Sequence, residues 1–163
     1  MASGPERVQQ ALRAHGLDAE VVRLSASTRT APEAAQAVGC HVGAIAKSLL
    51  FIADGEPVLV ICAGDRRVDT SRVAQLLGAT TVQMATAEQV RNITGFAIGG
   101  VPPIGHVTRL PTIMDSALLR WDTVYAAAGA HDALFPINPH RLLEVTGATL
   151  ADIGTPARPD PTT

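Results

Sequence analysis

Two features of the sequence could do chemistry: a glycine- and proline-rich segment at residues 99–106, and a single lysine. The segment reads GGVPPIGH, so it contains three glycines and two prolines. Such a segment forms a rigid turn with few side chains, which leaves backbone N–H groups open to an anion or a carbonyl group. Because proline has no N–H, the donors between its first glycine and its histidine are Gly100, Val101, Ile104 and Gly105. The same composition also occurs in an ordinary tight connection, so the segment alone leaves both interpretations open.

Lys47 is the only lysine in the chain. It is one of 13 basic residues, and the other 12 are arginines. A lysine provides a compact charge on a flexible stem, which a planar guanidinium cannot imitate. Composition alone favours a specific role for this ammonium group and chance about equally.

The overall composition excludes several classes of protein. With 13 basic and 15 acidic residues, the net charge is -2, so the chain is not a polycation that binds nucleic acid nonspecifically. A small local basic site remains compatible with this balance. No apolar run approaches the roughly 20 residues of a membrane span, and the first residues do not resemble a signal peptide. We therefore expect a cytoplasmic protein without a membrane or DNA partner.

The sequence offers little for metal or nucleophile chemistry. Cys40 and His41 supply at most two of the four ligands that structural zinc usually takes. Common phosphate-loop, serine-elbow and zinc-helix motifs are absent from the sequence. Cys62 lies in an apolar segment, which is typical of a buried, inert thiol. We expect no metal and no cofactor, and we favour only His106 among the five histidines, because it ends the glycine–proline segment.

The hydrophobic pattern predicts elements that would position these residues. Helices are expected at residues 5–15, 31–38, 70–77, 87–94 and 139–145, each with a capping or glycine stop signal. Strands are expected at residues 20–24, 48–53, 57–63, 81–84, 111–114 and 124–128. The two apolar runs around residues 54–56 predict a hairpin covered on both faces, with Lys47 at the mouth of its first strand. The fold class is a mixed α/β single domain, in which helices surround one central, largely antiparallel sheet.

The ends of the chain and one polar loop complete this map. We expect the domain to cover residues 1–154, and the proline-containing residues 155–163 to form a disordered tail. A hydroxyl-rich loop is expected at residues 25–29, just before the helix that Thr30 caps. Residues 64–67 are expected to form a charged turn.

Four segments together resemble the YbaK family of aminoacyl-tRNA editing domains. They read TAPEAA at residues 30–35, IAKSLLF at 45–51, GDRRVD at 64–69 and TGFAIGGVPPIGH at 94–106. They occur in the family's order, and the resemblance covers roughly residues 21–147. The family includes the insertion domain of prolyl-tRNA synthetase and free-standing ProX-type proteins.

The resemblance implies that the protein hydrolyses the ester between a wrong amino acid and the 3′-terminal adenosine of a tRNA. The implied catalytic groups are Lys47, which would contact the nucleotide end, and the backbone of Gly99, Gly100 and Val101, which would hold the aminoacyl carbonyl. The implied substrate-binding residues are Thr30, Ser48, Pro102, Pro103, Gly105, His106, Asp115, Ala128 and Gly129. Asp115 is equally well explained as the N-cap of a short helical turn through Trp121. Arg66 and Arg67 would meet the tRNA acceptor stem, although a solvated turn explains them as well.

The resemblance further implies that the substrate is a small amino acid such as alanine, cysteine, serine or threonine, on the tRNA for proline or for another amino acid. Alanine-editing relatives typically carry asparagine after the lysine, whereas this chain has Ser48, which argues against alanine. Two functions stay open: a trans-editing hydrolase, or a non-catalytic module that binds the tRNA acceptor end or a synthetase partner. Lys47 together with the complete loop favours the enzyme.

Overall fold

The structure, a computed structural model, describes residues 2–25 and 30–157 of the chain. Within these residues it contains five α-helices: Gly4–Ala14 (α1), Ala31–Val38 (α2), Thr70–Leu77 (α3), Ala87–Thr94 (α4) and Pro139–Thr146 (α5). Each helix begins after a side chain that accepts backbone N–H groups of the first turn, namely Ser3, Thr30, Asp69, Thr86 and Asn138. Short 3₁₀ turns cover Val42–Ala44 and Ser116–Arg120. No helix in the described ranges is long and apolar enough to cross a membrane.

Ten strands complete the described part of the fold. They are Val22–Arg23 (β1), Ile45–Ala53 (β2), Glu56–Ala63 (β3), Arg66–Val68 (β4), Val82–Met84 (β5), Thr112–Asp115 (β6), Val124–Ala127 (β7), Ala133–Ile137 (β8), Thr149–Ala151 (β9) and Gly154–Pro156 (β10). The main sheet has the order β1-β8-β7-β2-β3-β6-β9, with β5 also paired to β2, while β4 and β10 form a separate ribbon. Pairs β2–β7, β3–β6 and β6–β9 are parallel and the others antiparallel. The predicted mixed α/β fold with a largely antiparallel sheet is confirmed.

The β2–β3 hairpin forms the centre of the sheet and is covered on both faces, as its continuous apolar runs predict. Leu50 and Leu59 pack into the larger core cluster, which also includes residues from α1 and the 99–106 loop. Phe51 and Val58 pack on the opposite face against Val73 of α3. The hairpin is therefore a rigid platform for any group that it carries.

Strand β2 has an open stretch along one of its edges. On that edge β7 pairs at Ile45 and Ala46, and β5 pairs only from Phe51 onward, with the Ala85 N–H donating to the Leu50 carbonyl at 3.0 Å. Residues 47–49 therefore pair with β3 but have no strand partner on this second edge in the described part of the sheet. The Gly64 N–H donates to the Ile45 carbonyl on the β3 side, at 2.8 Å. Because backbone groups alternate in direction along a strand, the N–H and C=O of Ser48 point away from β3, into the gap.

Several predicted boundaries are wrong, and the reasons are physical. Residues 66–68 form β4 rather than part of a charged turn, and Thr155 and Pro156 form β10 rather than the start of a tail, because the two short segments pair with each other. Neither segment has the apolar alternation that marks a strand. Strand β8 was not predicted; its Pro136 is tolerated because β1 pairs only with residues 133 and 134 of β8. The predicted loop at residues 26–29 and the predicted tail at residues 158–163 lie outside the described residues.

Candidate active site

A cavity of about 210 Å³ opens at the unpaired edge of β2. It brings together five of the predicted site residues, from three separate parts of the chain: Thr30, Lys47, Ser48, Gly99 and Val101. Its remaining walls are apolar and are formed by Ala31, Ala34, Ile45, Ala46, Leu49, Ile98, Ala127 and Leu134. The cavity exists because β5 and β7 are both short and pair with the two ends of β2, which leaves a gap between them.

Lys47 is the third residue of β2 and its ammonium group is held in one direction. Its Nζ donates a hydrogen bond to the Arg66 carbonyl oxygen, 2.7 Å away. An ammonium group has three N–H donors, so this contact occupies one and leaves two for a ligand. Lys47 is half-buried, and it is the one charged residue among the described residues that line the cavity.

The first half of the 99–106 loop is fixed by backbone contacts with the β7–β8 turn. Gly99 adopts a φ of +91°, which favours glycine, and the Gly129 N–H donates to the Gly100 carbonyl at 2.9 Å. A Cβ atom on Gly100 would lie 2.8 Å from the Ala130 nitrogen, so only glycine allows this close approach. Ala128 and Gly129 therefore support the loop from behind and do not line the cavity, which their neighbour Ala127 does.

The expectation that the Gly100 N–H is open to a ligand is wrong. This N–H donates to the Ala97 carbonyl at 3.0 Å, because residues 97–100 form a turn. The N–H groups of Gly99 and Val101, by contrast, have no acceptor among residues 2–25 and 30–157. Gly99 and Val101 both line the cavity, so their N–H groups are the candidate donors of the loop there.

The second half of the loop turns away from Lys47. Pro102 and Pro103 are buried, and Pro103, Gly105 and His106 line a different cavity of about 420 Å³ next to His15. The His106 Nε2 lies 2.6 Å from the Pro102 carbonyl oxygen, so the imidazole links two ends of the same turn. Burial lowers the pKa of His106, although the Pro102 carbonyl partly opposes this effect. The structure does not place these residues at the Lys47 cavity, and His106 braces the loop instead.

Asp115 lies behind the site and has structural partners. It is fully buried at the end of β6, and its carboxylate accepts hydrogen bonds from the backbone N–H groups of Ala63 (3.2 Å) and Ala117 (3.1 Å). The same carboxylate lies 3.2 Å from the Arg66 Nε in an ion pair. The N-cap interpretation of Asp115 is confirmed, and the cavity does not include it.

The two neighbouring arginines have different environments. Arg66 is mostly buried and pairs with Asp152, and it also donates to the Gly154 carbonyl at 2.6 Å. Arg67 is exposed, and no side-chain partner for it occurs in the described part of the chain. Of the two side chains, that of Arg67 is therefore the more accessible, whereas the Arg66 side chain turns inward to Asp115; contact of either with tRNA stays a prediction.

The thiol nearest the site is not a nucleophile. Burial raises the pKa of Cys62 to about 12; Lys47 and Arg66 oppose the shift, and the Asp115 carboxylate adds to it. A thiol with this pKa stays protonated at neutral pH. Among the described residues, no cluster of three or more histidine, cysteine or acidic side chains could hold a metal ion.

Sequence reasoning missed most of the apolar wall of the cavity. Ala31 and Ala34 lie inside the TAPEAA segment, so the motif itself contained that signal. Leu134 and Ile98 had no signal, because they reach the cavity only through the pairing of β8 with β7 and through the turn at residues 97–100.

The fold and the site together define a class: a single α/β domain with a lysine and a glycine–proline loop at an unpaired strand edge. A family model of the aminoacyl-tRNA editing domain matches residues 25–145. The chain therefore belongs to the aminoacyl-tRNA editing domain family, as the resemblance to YbaK proteins predicts.

Individual relatives agree with this assignment. The chain is 47% identical to a protein whose crystal structure was solved as a candidate trans-editing enzyme for prolyl tRNA synthetase; the TM-score is 0.90, over 95% of this chain and 99% of that one. It is 40% identical over 76 residues to proline–tRNA ligase of Nitratidesulfovibrio vulgaris, which is 47% of this chain and only 13% of the ligase. It is 25% identical over 127 residues to EbsC of Enterococcus faecalis, a candidate Cys-tRNA(Pro)/Cys-tRNA(Cys) deacylase, and the match covers 77% of each chain.

Proposed function

We propose that this protein is a trans-editing hydrolase that releases a small amino acid from a mischarged tRNA. The observation that carries the proposal is that one cavity is lined by the only lysine and by Gly99 and Val101, whose N–H groups have no acceptor in the described residues. The names of the relatives support the same reaction, since they include a trans-editing enzyme and a deacylase. A surface that only docks a partner would need neither group.

The reaction that we propose needs no protein nucleophile. A water oxygen adds to the ester carbonyl carbon, and the negative charge on the carbonyl oxygen is stabilised by the Gly99 and Val101 N–H groups. Losing one such donor costs about 3 to 4 kcal/mol in known enzymes. The bond between that carbon and the ribose 3′ oxygen then breaks, and the leaving oxygen takes up a proton. The neighbouring ribose 2′ hydroxyl can relay this proton: it accepts a proton from the attacking water and passes its own to the leaving 3′ oxygen.

Lys47 serves binding and orientation in this proposal. Its two remaining N–H donors are suited to a phosphate or ribose oxygen of the terminal adenosine, and a charge-assisted hydrogen bond is stronger than a neutral one. Binding the nucleotide also fixes the ester relative to the loop, which lowers the entropic cost of bringing the reacting groups together in the right orientation. The lysine therefore acts on the rate by holding the substrate.

The cavity size and wall favour a small amino acid such as alanine, cysteine, serine or threonine. Its volume is about 210 Å³ and alanines form much of the wall. One methylene in an apolar pocket discriminates by only about 1 to 3 kcal/mol, so the wall residues decide between these candidates. The buried Ser48 hydroxyl has no hydrogen-bond partner in the described residues, which favours a polar side chain over that of alanine.

The test is release of labelled amino acid from tRNAs charged with alanine, cysteine, serine, threonine or proline. We expect selective release by the wild type, a loss of at least about 100-fold in Lys47→Ala, and a smaller loss in Lys47→Arg, which keeps the charge but not its shape. Arg141→Ala, which removes an exposed helix ion pair, is the control. If the wild type cleaves no ester above the spontaneous rate, the hydrolase proposal fails and the non-catalytic binding module becomes the better description.

The salt dependence of binding separates two modes of tRNA contact. One lysine on a terminal phosphate predicts a shallow slope of binding affinity against salt concentration. A steep slope would indicate contacts with several phosphates of the acceptor stem, to which the exposed Arg67 would contribute.

A further inference from the structure

We infer that Arg66 is a positioning residue that holds the Lys47 ammonium group toward the cavity. Arg66 acts through its main-chain carbonyl, and its side chain keeps that carbonyl in place. The effect on turnover rests on the proposed function, whereas the contact between the two residues does not.

The direction of the Arg66 carbonyl follows from the pairing of β4 with β10. The Ala157 N–H donates to the Asp65 carbonyl at 3.0 Å, and the Asp69 N–H donates to the Ile153 carbonyl at 2.7 Å. Because backbone groups alternate along an antiparallel pair, the groups of residues 65, 67 and 69 point toward β10 and those of Arg66 point away from it. The Arg66 carbonyl is therefore free to accept from Lys47 Nζ, as the 2.7 Å distance records.

The Arg66 side chain anchors this short strand to the protein interior. Its Nε forms the ion pair with the fully buried Asp115, and its Nη2 donates to the Gly154 carbonyl and to Asp152. Strand β4 has only three residues and pairs only with β10 in the described part of the chain. The pairing with β10 thus sets the direction of the carbonyl, and the anchored guanidinium ties this two-stranded ribbon to the buried Asp115.

The guanidinium also neutralises the charge that competes most strongly for Lys47. The Cys62 sulfur lies 3.7 Å from the Arg66 carbonyl oxygen and 3.7 Å from the Asp115 Oδ2, so the carbonyl that holds Lys47 and the buried carboxylate both contact one thiol. A buried carboxylate that has lost its cation is costly and attracts the nearest remaining one. Removing the Arg66 side chain would therefore draw Lys47 away from its carbonyl partner, toward Asp115.

The single lysine makes a direct test possible. In protein labelled with ¹⁵N-lysine, every Nζ signal in an NMR spectrum belongs to Lys47. We compare Arg66→Met with Arg67→Met, since both remove one cation from the same strand but only Arg66 contacts the Asp115 network. We expect Arg66→Met to speed hydrogen exchange at Lys47 Nζ about tenfold or more, the scale of losing one hydrogen bond to a charged group, while Arg67→Met leaves the exchange unchanged.

Turnover provides a second readout with its own control. Arg66→Met is expected to lower kcat for the released amino acid, whereas loss of a simple tRNA contact, as in Arg67→Met, is expected to raise KM. Equal changes of KM in both variants, with unchanged Nζ exchange in Arg66→Met, would overturn the inference. If the wild type shows no hydrolysis, the proposed function fails, but the exchange measurement still decides the inference.

Gly154→Ala replaces Arg66→Met if the latter does not fold. This change keeps every charge, and its added Cβ would lie 2.7 Å from the Arg66 Nε and 3.2 Å from the Arg66 Nη2. The substitution therefore displaces the guanidinium of Arg66, while the cation itself stays in the protein near Asp115. Faster exchange at Lys47 Nζ in folded Gly154→Ala supports the inference, and wild-type exchange contradicts it.

Discussion

Replacing Gly100 with alanine tests whether the loop acts by being held in one position. The new Cβ would lie 2.8 Å from the Ala130 nitrogen, 2.9 Å from its Cα and 3.0 Å from the Gly129 carbonyl carbon. All three are backbone atoms of a turn, and ordinary contacts between such atoms begin at about 3.5 Å. The loop must therefore move by roughly 0.5 to 0.7 Å, the shortfall from that contact distance. This movement also stretches the 2.9 Å hydrogen bond from the Gly129 N–H to the Gly100 carbonyl.

The displacement predicts separate effects on stability and rate. Overpacking of this kind costs about 1 to 3 kcal/mol of unfolding free energy. A misplacement of about 1 Å costs on the order of 100-fold in rate, so we expect release of labelled amino acid to slow by about 10- to 100-fold. Thermal unfolding gives the first quantity, and single-turnover release from the preferred charged tRNA gives the second.

A matched control separates the loop from general destabilisation. Gly78 ends α3 at a φ of +67°, and no atom lies within 4 Å of a Cβ built there. Gly78→Ala should cost about 1 kcal/mol through backbone strain without moving the loop. If Gly100→Ala is folded at the assay temperature and releases amino acid within twofold of the wild-type rate, positional control by this loop is refuted.

Three other substitutions test the roles assigned to groups around the site. Burial lowers the pKa of His106, so its imidazole binds a proton more readily in the unfolded chain than in the folded one. The unfolding free energy should therefore fall when the pH is lowered from 7 through about 6.5, the ordinary pKa of histidine. His106→Gln, which can still donate to the Pro102 carbonyl, should flatten this dependence in thermal melts at pH 5 to 7, and an unchanged slope would contradict the assignment. Cys62→Ala should cost about 1 kcal/mol of unfolding free energy and keep the release rate within about twofold, because a thiol with a pKa of about 12 is no nucleophile; a loss of catalysis on the 100-fold scale would show otherwise. Ser48→Ala should stabilise the free protein by about 1 kcal/mol, since it removes a buried hydroxyl without a partner in the described residues, while raising KM; a lower melting temperature would disprove this.

The sequence predicts the fold well where an element carries its own signal. Helices α2 to α5 have the capping side chains that predicted them, α1 follows from its apolar spacing and the glycine after it, and the β2–β3 hairpin follows from two apolar runs around a turn. The missed strands β4, β9 and β10 are short and pair with segments that are distant in sequence, whereas β8 pairs with the neighbouring β7 and contains Pro136. Gly154, for example, pairs with Val68, and no local pattern of either residue indicates that contact.

The candidate site could be predicted only in part for a related reason. The segments around Lys47 and Gly99 were identifiable, and the structure brings them to one cavity. The sequence could not show which residues of a motif reach the cavity. The Gly100 N–H donates within its own turn, and His106 lines a different cavity. Which N–H is open depends on the turn geometry, and composition does not specify that geometry.

The occurrence of one lysine among twelve arginines has a physical explanation at this site. The Lys47 ammonium group donates to a main-chain carbonyl beside a second cation, the Arg66 guanidinium, which Asp115 holds at 3.2 Å. An arginine at position 47 would place a second planar guanidinium next to that of Arg66. Its rigid fork of N–H groups is bulkier than an ammonium group and fits less well in a cavity of about 210 Å³. An ammonium group can give one N–H to the carbonyl and keep two for the substrate. Composition left the choice between chance and a specific role open, and the surroundings of this one side chain favour the role that we propose.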